Sequence, residues 1–116
     1  MRGTIRKQKH ILESIRFITE KSKDCKLSRM FFIKVKPSVH EVSKYFHCSM
    51  NKAFLMANIF DFNYKNGIAG MDNLSALFNC TPVQIMRYKK DIDDLVKKGL
   101  LLNIDFHGKK PTVYYE

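Results

Sequence analysis

Between Thr4 and Lys23, apolar residues fall at Ile5, Ile11, Leu12, Ile15 and Ile18 with charges between them, a spacing that predicts a helix. Phe17 lies off that stripe. From Lys26 to Lys36 the pattern changes: Met30-Phe-Phe-Ile33 and then Val35 sit among lysines, which reads as a short strand or an extended connector. Pro37 marks a break, and Ser38 with Glu41 three residues on is a capping-box pattern that opens a helix through Phe46. Ser49 caps the next helix, which runs to about Lys65 and stops at Asn66-Gly67. Its stretch Ala53 to Phe60 is apolar nearly all round, so that helix is expected to be buried.

Asp72 caps a short helix through Phe78. Thr81, with Pro82 first in the helix and Gln84 third, caps a longer one expected over residues 82–98. Ile85, Tyr88, Ile92, Leu95 and Val96 form its apolar stripe, and Lys97-Lys98 and Gly99 suit its end. Two strands come after it, Leu100 to Phe106 and Pro111 to Tyr115, around the turn His107 to Lys110. This order predicts a mainly α fold: a winged helix-turn-helix over residues 70–116, with a helical N-terminal extension and a two-stranded β wing. Residues 1–36 read as a basic helical arm and connector, and 37–116 as a helical pair plus the winged helix, packed as one unit.

The chain also repeats itself. Val42-Ser-Lys-Tyr-Phe-His-Cys-Ser49 matches Leu74-Ser-Ala-Leu-Phe-Asn-Cys-Thr81 at an offset of 32 residues, through duplication or through convergence on one packing need. The helix after the first copy is apolar. The helix after the second carries Arg87, Lys89, Lys90, Lys97 and Lys98, so only the second presents a polar face.

At 116 residues with 45% hydrophobic and 28% charged residues, the chain has a globular composition and room for a core. Three cysteines, Cys25, Cys48 and Cys80, without a CxxC pair, argue against a disulfide framework and a zinc site and suit a reducing cytoplasm. The nearest approach to a metal pair is His47 beside Cys48, which reads as a turn residue next to a buried thiol. The stretch Ile11 to Ile18 is broken by Glu13 and Arg16, so it is no signal peptide. The run Ala53 to Phe60 is too short to span a bilayer, and a soluble, cytoplasmic protein is expected. Enzyme readings lack parts: there is no nucleophile elbow, no paired carboxylate site and no cofactor loop. No metal, cofactor or membrane partner is expected.

The net charge of +10 makes nucleic acid a fair partner. A winged helix bound to double-stranded DNA sets the second helix of the motif into the major groove. Here that helix offers Gln84, Arg87, Lys89 and Lys90, with Lys109 and Lys110 at the wing tip for phosphate or the minor groove. Residues 1–36 hold eleven Lys and Arg against three acids, whereas residues 67–116 hold seven against six. The surplus belongs to the arm, where Arg2, Arg6, Lys7 and Lys9 are candidates for clamping phosphates. Asp91, Asp93 and Asp94 allow the helix-surface pairs Arg87–Asp91, Lys90–Asp94 and Asp94–Lys98, so a solvated face explains the long helix as well as groove reading does.

Phe31-Phe32, the helix Val39 to Phe46, the apolar helix Ala53 to Phe60, Asn73-Leu-Ser-Ala-Leu-Phe-Asn-Cys-Thr-Pro82 and Asp94-Leu-Val-Lys-Lys-Gly-Leu-Leu101 together resemble a known region. It is the winged-helix region that precedes the ATPase module in certain bacterial AAA+ ATPases, and the likeness covers roughly residues 30 to 105. It implies a regulatory, docking or oligomerisation role. The chain itself has no GxxxxGK[ST] loop, and its glycines Gly3, Gly67, Gly70, Gly99 and Gly108 form no phosphate cradle. Two functions therefore stand: DNA binding through residues 82–98, wing and arm, or protein docking without DNA contact. The deciding feature is whether basic residues of the N-terminal segment fold next to Arg87 and Lys90.

Overall fold

The computed structural model describes residues 2–99 and 104–105, with side chains described over residues 8–99. The chain is mainly helical: α1 (Arg2–Ser22), α2 (Arg29–Phe46), α3 (Met50–Asn66), β1 (Ala69–Gly70), α4 (Met71–Phe78), α5 (Pro82–Met86), α6 (Lys89–Lys97) and β2 (Ile104–Asp105).

The first helix forms as its apolar spacing predicts. Ile11, Ser14, Ile18 and Ser22 face inward at helical intervals, while Leu12 is 66% exposed. Phe17, off the stripe, is half-buried under the Lys21 ammonium, which lies 5.7 Å from the ring centroid.

The second helix overturns the expectation of a strand or connector over 26–36 and of a break at Pro37. Its cap is Ser28, whose Oγ accepts from the Phe31 N–H, and it runs through Pro37 without ending. Phe31, Val35, Val39 and Val42 are buried at intervals of four, four and three, a helical stripe that spans the proline. Pro37 has no N–H to give the Ile33 carbonyl, yet both residues are exposed, so water can take the place of that bond. Ser38 is therefore an interior residue and not a cap.

Between α1 and α2 the chain makes an irregular passage in which Asp24, Lys26 and Leu27 all adopt left-handed backbone angles, with φ of 60°, 58° and 54°. Hydrogen bonds to the far end of α4 hold it there. Asp24 N–H donates to Leu77 O (2.8 Å), Lys26 N–H to Phe78 O (2.6 Å), and the Asn79 amide donates to Asp24 Oδ1 (2.6 Å).

As its all-round apolar sequence predicts, α3 is the central element. Every residue from Ala53 to Ile59 is buried. The ring of Phe54 meets Phe31 (5.7 Å) and Phe32 (5.3 Å) of α2, Phe78 of α4 (5.3 Å) and Tyr88 after α5 (6.3 Å). One polar residue lies in this run: the Asn58 amide donates to Ser22 Oγ (3.0 Å) and to the Phe54 carbonyl (3.1 Å), tying α3 to the end of α1. Ser22 Oγ in turn donates to Ile18 O (2.6 Å). At the end of α3, Gly67 adopts φ +93° and donates to Asn63 O, the stop expected at Asn66-Gly67.

The short helix α4 begins two residues earlier than expected, because Gly70 and not Asp72 is its cap; Asn73 Oδ1 accepts from the Gly70 N–H (2.7 Å). The helix expected to be continuous over 82–98 is two. It leaves helical geometry at Tyr88 (φ −99°, ψ 3°), and α6 starts at Lys89. That departure puts the Tyr88 ring into the core against Phe54. Of the expected stripe, Ile85, Tyr88, Ile92 and Leu95 are buried and Val96 is 41% exposed.

Of the expected wing, only Ile104 and Asp105 lie within the described residues. They pair in parallel with β1, Ala69 opposite Ile104 and Gly70 opposite Asp105. The second strand, Pro111 to Tyr115, and the turn His107 to Lys110 lie outside the described residues.

Truncating the ring on which four aromatic contacts converge leaves a cavity in the middle of the core. Phe54→Ala is expected to lower unfolding free energy by about 3–5 kcal/mol. Tyr64→Ala, at a side chain 91% exposed, should stay within roughly 0.5 kcal/mol. Urea denaturation of the two variants checks the contrast.

Candidate nucleic-acid interface

The sequence repeat is a repeat of backbone geometry. In the first copy, His47 sits at φ 55°, ψ 50°, and the N–H groups of His47 and Cys48 donate to Lys44 O and Ser43 O. In the second, Asn79 sits at φ 56°, ψ 56°, and Asn79 and Cys80 donate to Ala76 O and Ser75 O. Each copy ends a helix with a left-handed residue, passes a cysteine and opens the next helix on a hydroxyl cap, Ser49 or Thr81. The helices opened by the two caps differ. The first turn delivers the buried α3; the second delivers α5, where Pro82, Val83, Gln84 and Met86 are exposed, as is Arg87 directly after it, and only Ile85 turns inward.

Gln84 is held by its own helix. Its Oε1 accepts from the Thr81 N–H (2.9 Å) while Thr81 Oγ1 accepts from the Gln84 N–H (3.3 Å), the reciprocal bonding of a capping box. The side-chain carbonyl that would read a base edge is thus engaged at the start of α5.

None of the three expected surface pairs on the segment after α5 forms. Lys89 pairs instead with Asp93 (2.9 Å), and Asp94 reaches across to Lys52 of α3 (3.3 Å), a lysine only 17% exposed. Two of the three acids of α6, Asp93 and Asp94, are therefore engaged by Lys89 and by the core-side lysine. Arg87 and Lys90, both exposed, make no ion pair among the described residues.

Arg87 faces a cleft of about 410 Å³ lined by Leu27, Arg29, Phe32, Asn51, Arg87 and Tyr88. Three separate parts of the chain meet there. Arg29 is the first residue of α2 and Asn51 belongs to the first turn of α3. Arg87 comes directly after α5. One member of the basic N-terminal segment is thus brought beside the exposed helix, and the clamp of the 23–28 passage onto α4 is what sets it there. Neither Arg29, counted only as part of a charge run, nor Asn51 is singled out by sequence pattern. A helix beginning at Ser28 was the missing signal.

The start of α1 goes elsewhere. His10 lies 3.8 Å from Glu41, so α1 runs antiparallel to α2, and its beginning is at the end of the hairpin remote from Arg29. Lys9 is exposed there, roughly 20 Å along the helix axis from Ser22 at 1.5 Å per residue. Arg2, Arg6 and Lys7 belong to the same first turns of α1, with side chains outside those described. Lys109 and Lys110 lie outside the described residues.

Among the described residues no three His, Cys, Asp or Glu side chains are grouped to hold a metal ion, and no helix is long and apolar enough to cross a membrane. The three thiols are free. Comparison of the chain with protein-family models, with curated proteins and with solved structures gives no match.

Burial pushes the Cys25, Cys48 and Cys80 thiols and the Tyr88 phenol above their ordinary ionisation ranges. For Cys25, the hydrogen bond its sulfur accepts from the Leu27 N–H opposes the shift without cancelling it. The folded chain holds these protons more tightly than the unfolded one. The resulting stabilisation is complete below the ordinary thiol value of 9.0 and is lost as pH rises through the higher folded values. Urea midpoints should fall from neutral to alkaline pH, and Cys25→Ala should flatten the alkaline part of that fall.

Proposed function

We propose that this chain is a DNA-binding module of winged-helix type that seats the phosphate backbone of double-stranded DNA in the cleft between Arg29 and Arg87. One observation carries the reading: two arginines from distant parts of the sequence line a single cleft, and neither has an ion-pair partner among the described residues. Guanidinium forks match phosphate oxygens bidentately and keep their charge at any physiological pH. Asn51 adds an amide on the same wall, and Lys90 extends the charge along α6. Contacts of this kind fix position and register and carry no sequence information themselves. The exposed Val83 and Met86 of α5 supply apolar edges suited to thymine methyl groups. The basic start of α1, at the far end of the hairpin, contributes a separate phosphate contact if DNA runs along that face.

The test is fluorescence-anisotropy titration of a mixed duplex pool across a range of salt. Binding is expected with Kd on the order of 10⁻⁴ to 10⁻⁶ M at physiological salt, the range of phosphate-dominated association. Arg29→Ala and Arg87→Ala should each weaken binding and each lower the slope of log K against log salt by about one. Gln84→Ala should reduce thermal stability and leave that slope unchanged. Loss only on deleting residues 1–9 would transfer the contact to the arm, and absence of binding at low salt would refute the reading. Protein docking, the role implied by the likeness to the AAA+ region, is favoured as a second reading by an apolar groove that adjoins the cleft.

A further inference from the structure

Arg29, Phe32 and Asn51 line not only the cleft that faces Arg87 but also a second depression, about 290 Å³ in volume, between α2 and the start of α3. Its floor is Phe32, Val39, Met50 and Phe54, and its charged rim is Arg29 and Lys36. No acid lines it. Small-molecule pockets occupy roughly 300–1,000 Å³ and enclose most of their ligand; this groove is at the lower edge of that range and open along its length. It has the dimensions for one or two side chains of a larger partner. Ile33 on its lip is 55% exposed, and Met30, one turn away, is 74% exposed. Apolar groups of this size left in water beside a groove mark an interaction surface.

The charges specify what fits. Arg29 and Lys36 are seven residues apart on one helix, about 10 Å along its axis at 1.5 Å per residue, with apolar side chains between them. Neither is neutralised by an acid among the described residues. A nucleic-acid backbone would satisfy the two cations and leave the apolar floor without a partner. An amphipathic helix answers both features, because carboxylates seven residues apart face the two cations while aliphatic groups at the intervening third and fourth positions enter the groove.

We infer that the α2–α3 groove binds an acidic amphipathic helix of a partner protein, gripping paired carboxylates with Arg29 and Lys36 around aliphatic side chains seated on Phe32, Met50 and Phe54. This deepens the protein-docking reading, does not rest on the DNA reading, and makes helix and DNA compete for Arg29.

The test uses the full chain and two fluorescein-labelled helical peptides. One has glutamates seven residues apart with leucines at the third and fourth positions between them; the other is identical but carries lysines in place of those glutamates. The glutamate peptide should bind with micromolar Kd, at least tenfold more tightly than the lysine peptide. In the double variant R29E/K36E, whose changed side chains are both exposed, the preference should invert. That inversion is a readout that loss of folding cannot produce, and circular dichroism checks that helicity is kept. Ile33→Asp should weaken the glutamate peptide about tenfold. Equal binding of both peptides, failure of the preference to invert, or an affinity unmoved by Ile33→Asp would overturn the inference. So would no binding of either peptide at millimolar concentration.

Discussion

The ring of Phe54 is in contact with an aromatic from each of the three elements that pack around it: the Phe31–Phe32 pair of α2, Phe78 of α4 and Tyr88 beyond α5. Edge and tilted contacts of this kind add roughly 0.5–1.5 kcal/mol each beyond the area they bury. Their larger effect is geometric. Because one side chain touches the start of α2, the end of α4 and the α5–α6 junction, it fixes how those three places stand relative to one another. The cleft holding Arg29, Asn51 and Arg87 is built from the same neighbourhood, so the arrangement of its charges is a consequence of the packing beneath them.

Local signals in the sequence were reliable where one residue decides the outcome. Ser49, Thr81-Pro82-Gln84 and Asn66-Gly67 begin and end helices as expected, and the unbroken apolar run of α3 marks the buried centre. Pro37 misled because its usual meaning depends on where the missing hydrogen bond falls; on an exposed face that bond is dispensable, and the stripe from Phe31 to Val42 prevailed. Ile33 and Val35 among lysines read as a short strand or connector over too few residues to outweigh it. Continuity over 82–98 failed for the opposite reason. The apolar spacing there is helical on both sides of Tyr88, and only the tertiary position of its ring shows why the backbone turns.

The candidate site was half legible. Arg87 and Lys90 were visible as exposed cations beside an apolar stripe, and the structure leaves both exposed. That Lys90 would lose its expected partner was not visible, since Asp94 bonds to Lys52, a residue 42 positions earlier in the chain. Pairs at i and i+4 are the ones a sequence offers, and a partner from another helix displaces them whenever it is better placed. The same limit hid Arg29. Its importance comes from a neighbour 58 residues later in the chain, and periodicity within one element cannot supply that relation.

The passage from Asp24 to Leu27 has the composition of an ordinary surface connector, yet its backbone is bonded to the carbonyls that end α4. Its three left-handed residues are not glycines, and each disfavours that conformation when the chain is free. The turn between α1 and α2 is therefore held in part by the second half of the domain. A single residue inserted in this passage would do more than lengthen a loop. It would shift Arg29 relative to Arg87 and separate the cleft's two walls, so a segment that looks tolerant of length variation is the one that sets the spacing between the two arginines.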